Sequence, residues 1–258
     1  MPILIKKISN IAILLTYTMV SIFCVYLIKP HYFYSILLVL MPPMLLTFSW
    51  HKKHDVVEIL SFSLITTLFF AVPIELIARL NNIWDVDSIF YRPFNLLPLE
   101  NLLFAFINFA WVIAFDQYLF TSIKHPRQLM NKRLSFLFGL YLTLFIMTFS
   151  LFIYEPSVLN FSYFTLSLPI LIFPLVFFIF KKPKLLAQSL HSTIFFAIIL
   201  FVYEAVSLKT GSWWWPAKNY LFSTHLFGQI FPLDDVLIWY LISTPVLVTS
   251  YRYFVKID

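Results

Sequence analysis

Apolar residues run through this chain in eight long blocks with few polar interruptions, near residues 11–28, 32–49, 57–78, 97–119, 134–153, 161–180, 188–208 and 231–251. A hydrocarbon core of about 30 Å takes roughly 20 helical residues, and lipid admits only helices or closed barrels. A barrel needs short alternating segments instead of continuous Leu/Ile/Phe runs. The pattern therefore predicts an all-α, polytopic integral membrane helix bundle of about eight transmembrane helices.

Composition sharpens this. Charged residues make up 12% of the chain, against about 25% in an ordinary soluble domain. The single Cys24 lies inside the first block, so no disulfide framework or CxxC motif is expected. The first block follows Lys6 and Lys7 as a signal peptide would, but it is long and lacks a small-residue cleavage pattern, and it reads as a retained anchor. The net charge of +6 comes from short loops between blocks. With the N-terminus inside, one side collects Lys6, Lys7, Lys52, Lys53, Lys124, Arg127, Lys132, Arg133, Lys181, Lys182, Lys184, Arg252 and Lys256; the other has Lys29, Arg79, Arg92, Lys209 and Lys218. The positive-inside rule then places both termini in the cytoplasm and the loops near 80–96 and 209–230 outside, in a bacterial-type inner or plasma membrane. The basic residues imply no nucleic-acid partner.

The chain also repeats itself. "YFYSILLVLMPPML" from Tyr32 aligns with "YFTLSLPILIFPLV" from Tyr163. "PIELIARLNNIW" aligns with "VYEAVSLKTGSW", with Glu75 nine residues before Trp84 and Glu204 nine before Trp213. "LPLENLLF" aligns with "FPLDDVLI", pairing Glu100 with Asp234 and Asn101 with Asp235. The reading is one membrane domain made of two four-helix repeats, 1–130 and 131–258. Because each repeat holds an even number of spans, the two are expected to run parallel, related by an axis along the membrane normal. Glu75, Glu100, Glu204, Asp234 and Asp235 would then meet at one depth.

Each motif has a plain structural account. Pro98 and Pro232 suit a first helical turn, and the acid two residues later sits where the helix dipole favours negative charge. Glu75 is spaced for an i,i+4 pair with Arg79. Trp84, Trp213, Trp214 and Trp215 suit the headgroup level. Their recurrence in the same order in both halves is less easily explained this way, because acids within membrane spans are costly and usually face a bundle interior. Carboxyl groups packed together away from water retain a proton between them, which sets a Brønsted acid beside its own base.

This order of residues resembles the lycopene cyclase domain family of integral-membrane carotenoid cyclases, which occur as heterodimers, single chains or fusions with phytoene synthase. That family's hallmark is a Pro-Leu-Glu-Glu-type motif opening a helix in each half, preceded by an acid and then a tryptophan. Here those elements are "PLENLLF" with Glu75 and Trp84, and "PLDDVLIWY" with Glu204 and Trp213. The likeness spans about residues 32–254. Asn101 departs from it, standing where the family has a second acid, and both acids of the second motif are Asp.

The resemblance implies redox-neutral cyclisation of a linear polyene end, with lycopene or a related carotenoid as substrate. An acid protonates the terminal double bond, an internal alkene attacks the cation, and a base removes a proton. Glu75, Glu100, Glu204, Asp234 and Asp235 are the candidate acid–base set. Trp84, Trp213 and Trp214 are candidates for binding substrate and stabilising the cation through their π faces, worth about 2 kcal/mol or more when dry. The expected partners are the polyene, the bilayer, and a second copy of the chain or other carotenoid-pathway enzymes.

With only Gly139, Gly211 and Gly228, no dinucleotide or Walker loop is available, and no His/Cys cluster offers a metal site; no cofactor is expected. "HKKH" at 51–54 reads as a solvated loop, Asp116 as an interfacial residue near Lys124, and Glu155 as part of a short loop. Two rival classes share these features. Parallel repeats with acids at their interface also describe a proton-coupled transporter, although the acids here lie near one face and not the midplane. A noncatalytic membrane subunit fits the Asn101 departure. Another terpenoid cyclase or hydratase would use the same acid chemistry.

Overall fold

The computed structural model describes residues 2–120, 132–216, 220 and 222–255 and is 79% helical. Among the described residues, seven helices are long and apolar enough to cross a membrane, as the continuous apolar blocks require. They are α1 (Pro2–Ile28), α3 (Lys53–Leu80), α4 (Leu99–Phe120), α5 (Lys132–Tyr154), α6 (Tyr163–Lys181), α8 (Leu190–Thr210) and α9 (Leu233–Phe254). Between them lie α2 (Tyr32–Phe48) and the short α7 (Pro183–Gln188). The chain is a helical membrane protein. The boundary expected at 130/131 and the basic residues Lys124, Arg127, Lys218 and Lys256 lie outside the described residues.

The second apolar block forms α2, an apolar helix shorter than the seven long ones. It consists of two 8-residue pieces, Tyr32–Val39 and Met41–Phe48, meeting at Leu40. The reason is the Pro42–Pro43 pair just inside the second piece: neither residue has an N–H to continue the ladder, and their rings crowd the preceding turn. The prolines mark this break, and α2 as a whole runs on to Phe48.

Apolar side chains cover the bundle on both faces. Phe136, Leu140, Ile146, Met147 and Ile153 of α5 are exposed, as are Ile194, Ile198 and Phe201 of α8. Inside, Leu14, Ile36, Val39, Trp111, Phe115, Phe196 and Tyr251 form one apolar cluster that joins α1, α2, α4, α8 and α9. At the end of α4 away from Glu100, Asp116 is fully buried. It pairs with the Arg252 guanidinium and accepts a hydrogen bond from Ser192 Oγ at 2.9 Å. This overturns the interfacial placement of Asp116; its partner is 136 residues away in sequence.

α3 and α8 end alike. The N–H of Ile83 reaches the carbonyl of Ala78 at 2.9 Å, and that of Ser212 reaches Ser207 at 3.0 Å. The chain turns through left-handed backbone at Asn82 (φ 50°) and Gly211 (φ 77°), the usual device for satisfying the last carbonyls of a helix. After these turns the two loops meet. β1 (Asp85–Val86) pairs antiparallel with β2 (Trp213–Trp214), with Asp85 opposite Trp214 and Val86 opposite Trp213. β3 (Ser223–Leu226) and β4 (Gln229–Pro232) form a hairpin that turns at Phe227 (φ 55°) and Gly228 (φ 80°) and leads into α9. These small ribbons add to the expected all-helical plan. Three spans also contain wide π-helical turns: Thr67–Ala71 in α3, Leu168–Ile172 in α6 and Val236–Ser243 in α9.

Candidate functional site

Two sets of hydrogen bonds meet where α3, α4, α8 and α9 converge beneath the β1–β2 ribbon. In the first, Glu75 of α3 is 4% exposed. Its Oε2 accepts from the Trp84 indole N–H at 2.9 Å and from the Asn101 amide at 2.5 Å. Asn101 in turn accepts from the Tyr32 hydroxyl at 3.3 Å. Arg79 does not form the expected hydrogen-bonded pair with Glu75. Its guanidinium donates to the Trp84 carbonyl and pairs with Asp85 at 2.5 Å, and Arg92 reaches the same Asp85 oxygen at 3.0 Å. Burial tends to raise the Asp85 carboxyl; Arg79, with Arg92 behind it, outweighs that and holds the group below the usual carboxylate range.

In the second set, Glu204 of α8 accepts from the Trp215 indole at 2.7 Å and from the Tyr240 hydroxyl. Its carboxyl lies close to that of Asp235 on the same cavity wall. Asp235 accepts from the Tyr163 hydroxyl at 2.5 Å. The pairs correspond one to one: Trp84 with Glu75 as Trp215 with Glu204, Asn101 with Glu75 as Asp235 with Glu204, and Tyr32 with Asn101 as Tyr163 with Asp235. They differ in chemistry. One is acid to amide, the other acid to acid.

The adjacent acids at each helix start divide their work. Glu100 is fully buried, and its carboxyl accepts from Ser88 Oγ (2.7 Å) and from the backbone N–H groups of Ile89 (2.7 Å) and Phe90 (3.0 Å). Asp234 accepts from the N–H of Phe222 at 2.8 Å. Both side chains tie a loop to the first turn of a helix, where the dipole favours an acid. One residue further on, about 100° around the helix, Asn101 and Asp235 line a cavity that Glu100 and Asp234 do not reach.

That cavity measures about 140 Å³ and is lined by Glu75, Asn101, Glu204 and Asp235 with a wall of Trp84, Trp213, Trp215, Trp239, Tyr32, Tyr203 and Tyr240. At the roughly 30 Å³ that a water takes in the liquid, this is room for about five waters. The rings meet mostly edge to face: Trp84 with Trp215 at 6.0 Å and with Trp239 at 6.5 Å, and Trp213 with Trp215 at 5.8 Å and with Tyr32 at 5.7 Å. Of the eight expected site residues, Glu75, Glu204, Asp235, Trp84 and Trp213 line the cavity, whereas Glu100, Asp234 and Trp214 do not. Trp214 falls on the other side because successive side chains of an extended strand alternate.

Reading the spacing alone missed Trp215, whose indole makes the bond to Glu204 that the nine-residue spacing suggested for Trp213. It also missed Trp239, Tyr203 and Tyr240, since nothing in an apolar run marks which aromatic turns inward. Tyr32 and Tyr163 were visible as aligned positions but not as partners of Asn101 and Asp235. Three cavity-lining residues each carry a buried atom with no hydrogen-bond partner: Glu75 Oε1, Asn108 Oδ1 and Trp213 Nε1. Among the described residues no group of three or more His, Cys, Asp or Glu is placed to hold a metal ion. No protein-family model, curated protein or solved structure matches the chain.

Proposed function

We propose that the chain is an acid-catalysed isoprenoid cyclase of the lycopene cyclase type, acting on the linear end of a polyene such as lycopene. The observation that carries this is the neighbouring carboxyls of Glu204 and Asp235, which share one aromatic cavity with Glu75. Two carboxyls set close together away from water hold a proton between them, and an alkene pressed against that pair is the acceptor a cyclase requires.

The reaction balances without an oxidant. The Glu204–Asp235 pair gives a proton to the inner CH carbon of the terminal double bond, leaving a tertiary cation on the dimethyl-substituted carbon. An internal double bond supplies its electron pair to close the ring and moves the cation to a ring carbon. Glu75 Oε1, left free because Trp84 and Asn101 both bind Oε2, takes a proton from the neighbouring carbon and the ring double bond forms. Return of that proton to the acid pair resets the site. Trp84, Trp215 and Trp239 present π density to the cation. A cavity of about 140 Å³ suits one end group, with the remaining polyene lying in the bilayer.

On this reading one shared cavity serves the chemistry, with the acid in the second half and the base in the first, and the Asn101 departure is what separates the two roles. The parallel-repeat arrangement, both termini in the cytoplasm and the site at the outer face belong to the same proposal. The test is expression in a lycopene-accumulating bacterium with pigments separated by chromatography. Conversion to a cyclic carotenoid that Asp235→Asn abolishes is expected. Unchanged lycopene with well-folded protein overturns the reading and favours the transporter or subunit alternatives.

A further inference from the structure

α8 carries a second feature on the face turned away from the carboxyl cavity. Tyr203 and Glu204 line the cavity, whereas Val202, Val206 and Lys209 share one helical stripe that lines a groove of about 530 Å³ with Phe23 and Tyr26 of α1 and Phe227 of the hairpin turn. The groove and the cavity have no lining residue in common. Phe23, Tyr26 and Phe227 are exposed, so the groove opens onto the bundle surface. Its polar groups gather at one end. Tyr26 lies in the last turn of α1 and Lys209 in the last turn of α8. The two helix ends share a level, because Tyr32, just beyond α1, packs its ring on Trp213, just beyond α8, at 5.7 Å. Val202 sits two helical turns, about 10 Å, deeper. The Lys209 ammonium is 5.5 Å from the centre of the Phe227 ring, and among the described residues no carboxylate pairs with it.

We propose that this groove is a binding site for one phospholipid with a negatively charged headgroup, its acyl chain along Phe23, Val202 and Val206 and its phosphate at Lys209. Apolar walls alone would take any lipid chain, since the hydrocarbon is the same beneath every headgroup. The ammonium at the mouth supplies the choice. Lysine lays its stem on apolar surface and keeps its charge at headgroup level, and a phosphate oxygen accepts a charge-assisted hydrogen bond from it. A zwitterionic headgroup brings its own cation to the phosphate and gains less. The Tyr26 hydroxyl adds a donor at the same level. The site is independent of the cyclase reading, because it lies on the opposite face of α8 and takes part in no proton transfer.

The experiment is native mass spectrometry of the full chain released from detergent, with phosphatidylglycerol and phosphatidylcholine of identical acyl chains added at equal concentration. One phosphatidylglycerol is expected to be retained per chain, preferred about fivefold over phosphatidylcholine, as one cation facing an anionic lipid provides. Lys209→Gln, at an exposed position, tests the charge without disturbing the packing and is expected to erase the preference. Lys29→Gln removes a cation that is exposed just past α1 and outside the groove, and is expected to keep it. Val206→Trp fills the groove and is expected to displace the lipid whichever headgroup it carries; where that variant does not fold, Val202→Phe is read in its place. Equal retention of the two lipids, no retained lipid, or a preference that survives Lys209→Gln overturns the proposal. So does a preference that Lys29→Gln also erases, or retention undiminished when the groove is filled. Native dimers that carry no lipid overturn it in favour of a second copy of the chain as the occupant. The readout is lipid retention, so absence of turnover leaves this site standing and absence of retained lipid leaves the cyclase reading standing.

Discussion

Asp235→Asn separates the proton from the packing. An asparagine at this position keeps an oxygen for the Tyr163 hydroxyl, now at 2.5 Å, and gains an amide N–H to donate to Glu204. That is the arrangement Asn101 already makes with Glu75, also at 2.5 Å. Both contacts have a native counterpart in the same molecule, so the substitution is expected to leave the melting temperature nearly unchanged. What it removes is the proton between two carboxyls. Loss of a positioned general acid slows a reaction by about 10²–10⁴-fold, or about 3–5 kcal/mol of barrier at 1.36 kcal/mol per factor of ten. The assay is a single-turnover conversion of lycopene in nanodiscs, with protein in excess of substrate and above its Kd so that only the chemical step is read. A rate within about threefold of the native protein, measured on folded variant, would refute the assignment of the acid pair. The reciprocal change, Asn101→Asp, serves as the control: it gives Glu75 a second carboxyl, adds a proton where a base is needed, and is expected to lower the rate as well.

Further expectations follow from neighbouring contacts. Glu100→Gln removes an acceptor from the Ser88, Ile89 and Phe90 donors and is expected to cost about 1–3 kcal/mol of stability in a denaturation midpoint while leaving the chemical step intact. Arg252→Met strands the buried Asp116 carboxylate and is expected to cost about 3–5 kcal/mol; the double variant Asp116→Leu/Arg252→Met is expected to recover most of that loss, as unfolding in detergent will report. Asp85, held below the usual carboxylate range by Arg79 and Arg92, contributes stability that is present above the unfolded value of about 3.9 and lost as pH falls through its lower folded value. The melting temperature is therefore expected to fall below about pH 4, and less steeply in Asp85→Asn, measured by thermal scans across that range. Gly228→Ala places a side chain in left-handed backbone and is expected to cost about 1–2 kcal/mol by the same scans.

Much of the architecture could be read from residue order because one physical rule dominates it: apolar runs of bilayer length become helices. Within α2 the prolines decide where the run breaks into two pieces. At the site, the acids were legible since a carboxyl inside an apolar run is costly, but their division of labour was not. Glu100 and Asn101, like Asp234 and Asp235, are neighbours in sequence and face different surroundings, and only the rotation of the helix start decides which one looks inward. The tryptophan partner of Glu204 escaped because its loop enters a short strand, so the count from the helix end no longer measures direction. The Phe227–Gly228 turn carries phenylalanine where Asn or Asp usually signals a hairpin, and the Asp116–Arg252 pair joins residues with no local relation at all.

The wide turns of α9 from Val236 to Ser243 have a consequence at the far end of the molecule. A π-helical turn accommodates one more residue than the regular spiral, so this stretch acts as an accepted insertion. It lets Trp239, Tyr240 and Ser243 share the cavity wall and simultaneously sets the angular phase with which Arg252 arrives at Asp116. Removing a single residue there would advance everything downstream by about 100°, swinging the guanidinium off its carboxylate. The spacing between the two ends of α9 is thus intolerant of length change, even where individual apolar residues along it are exchangeable.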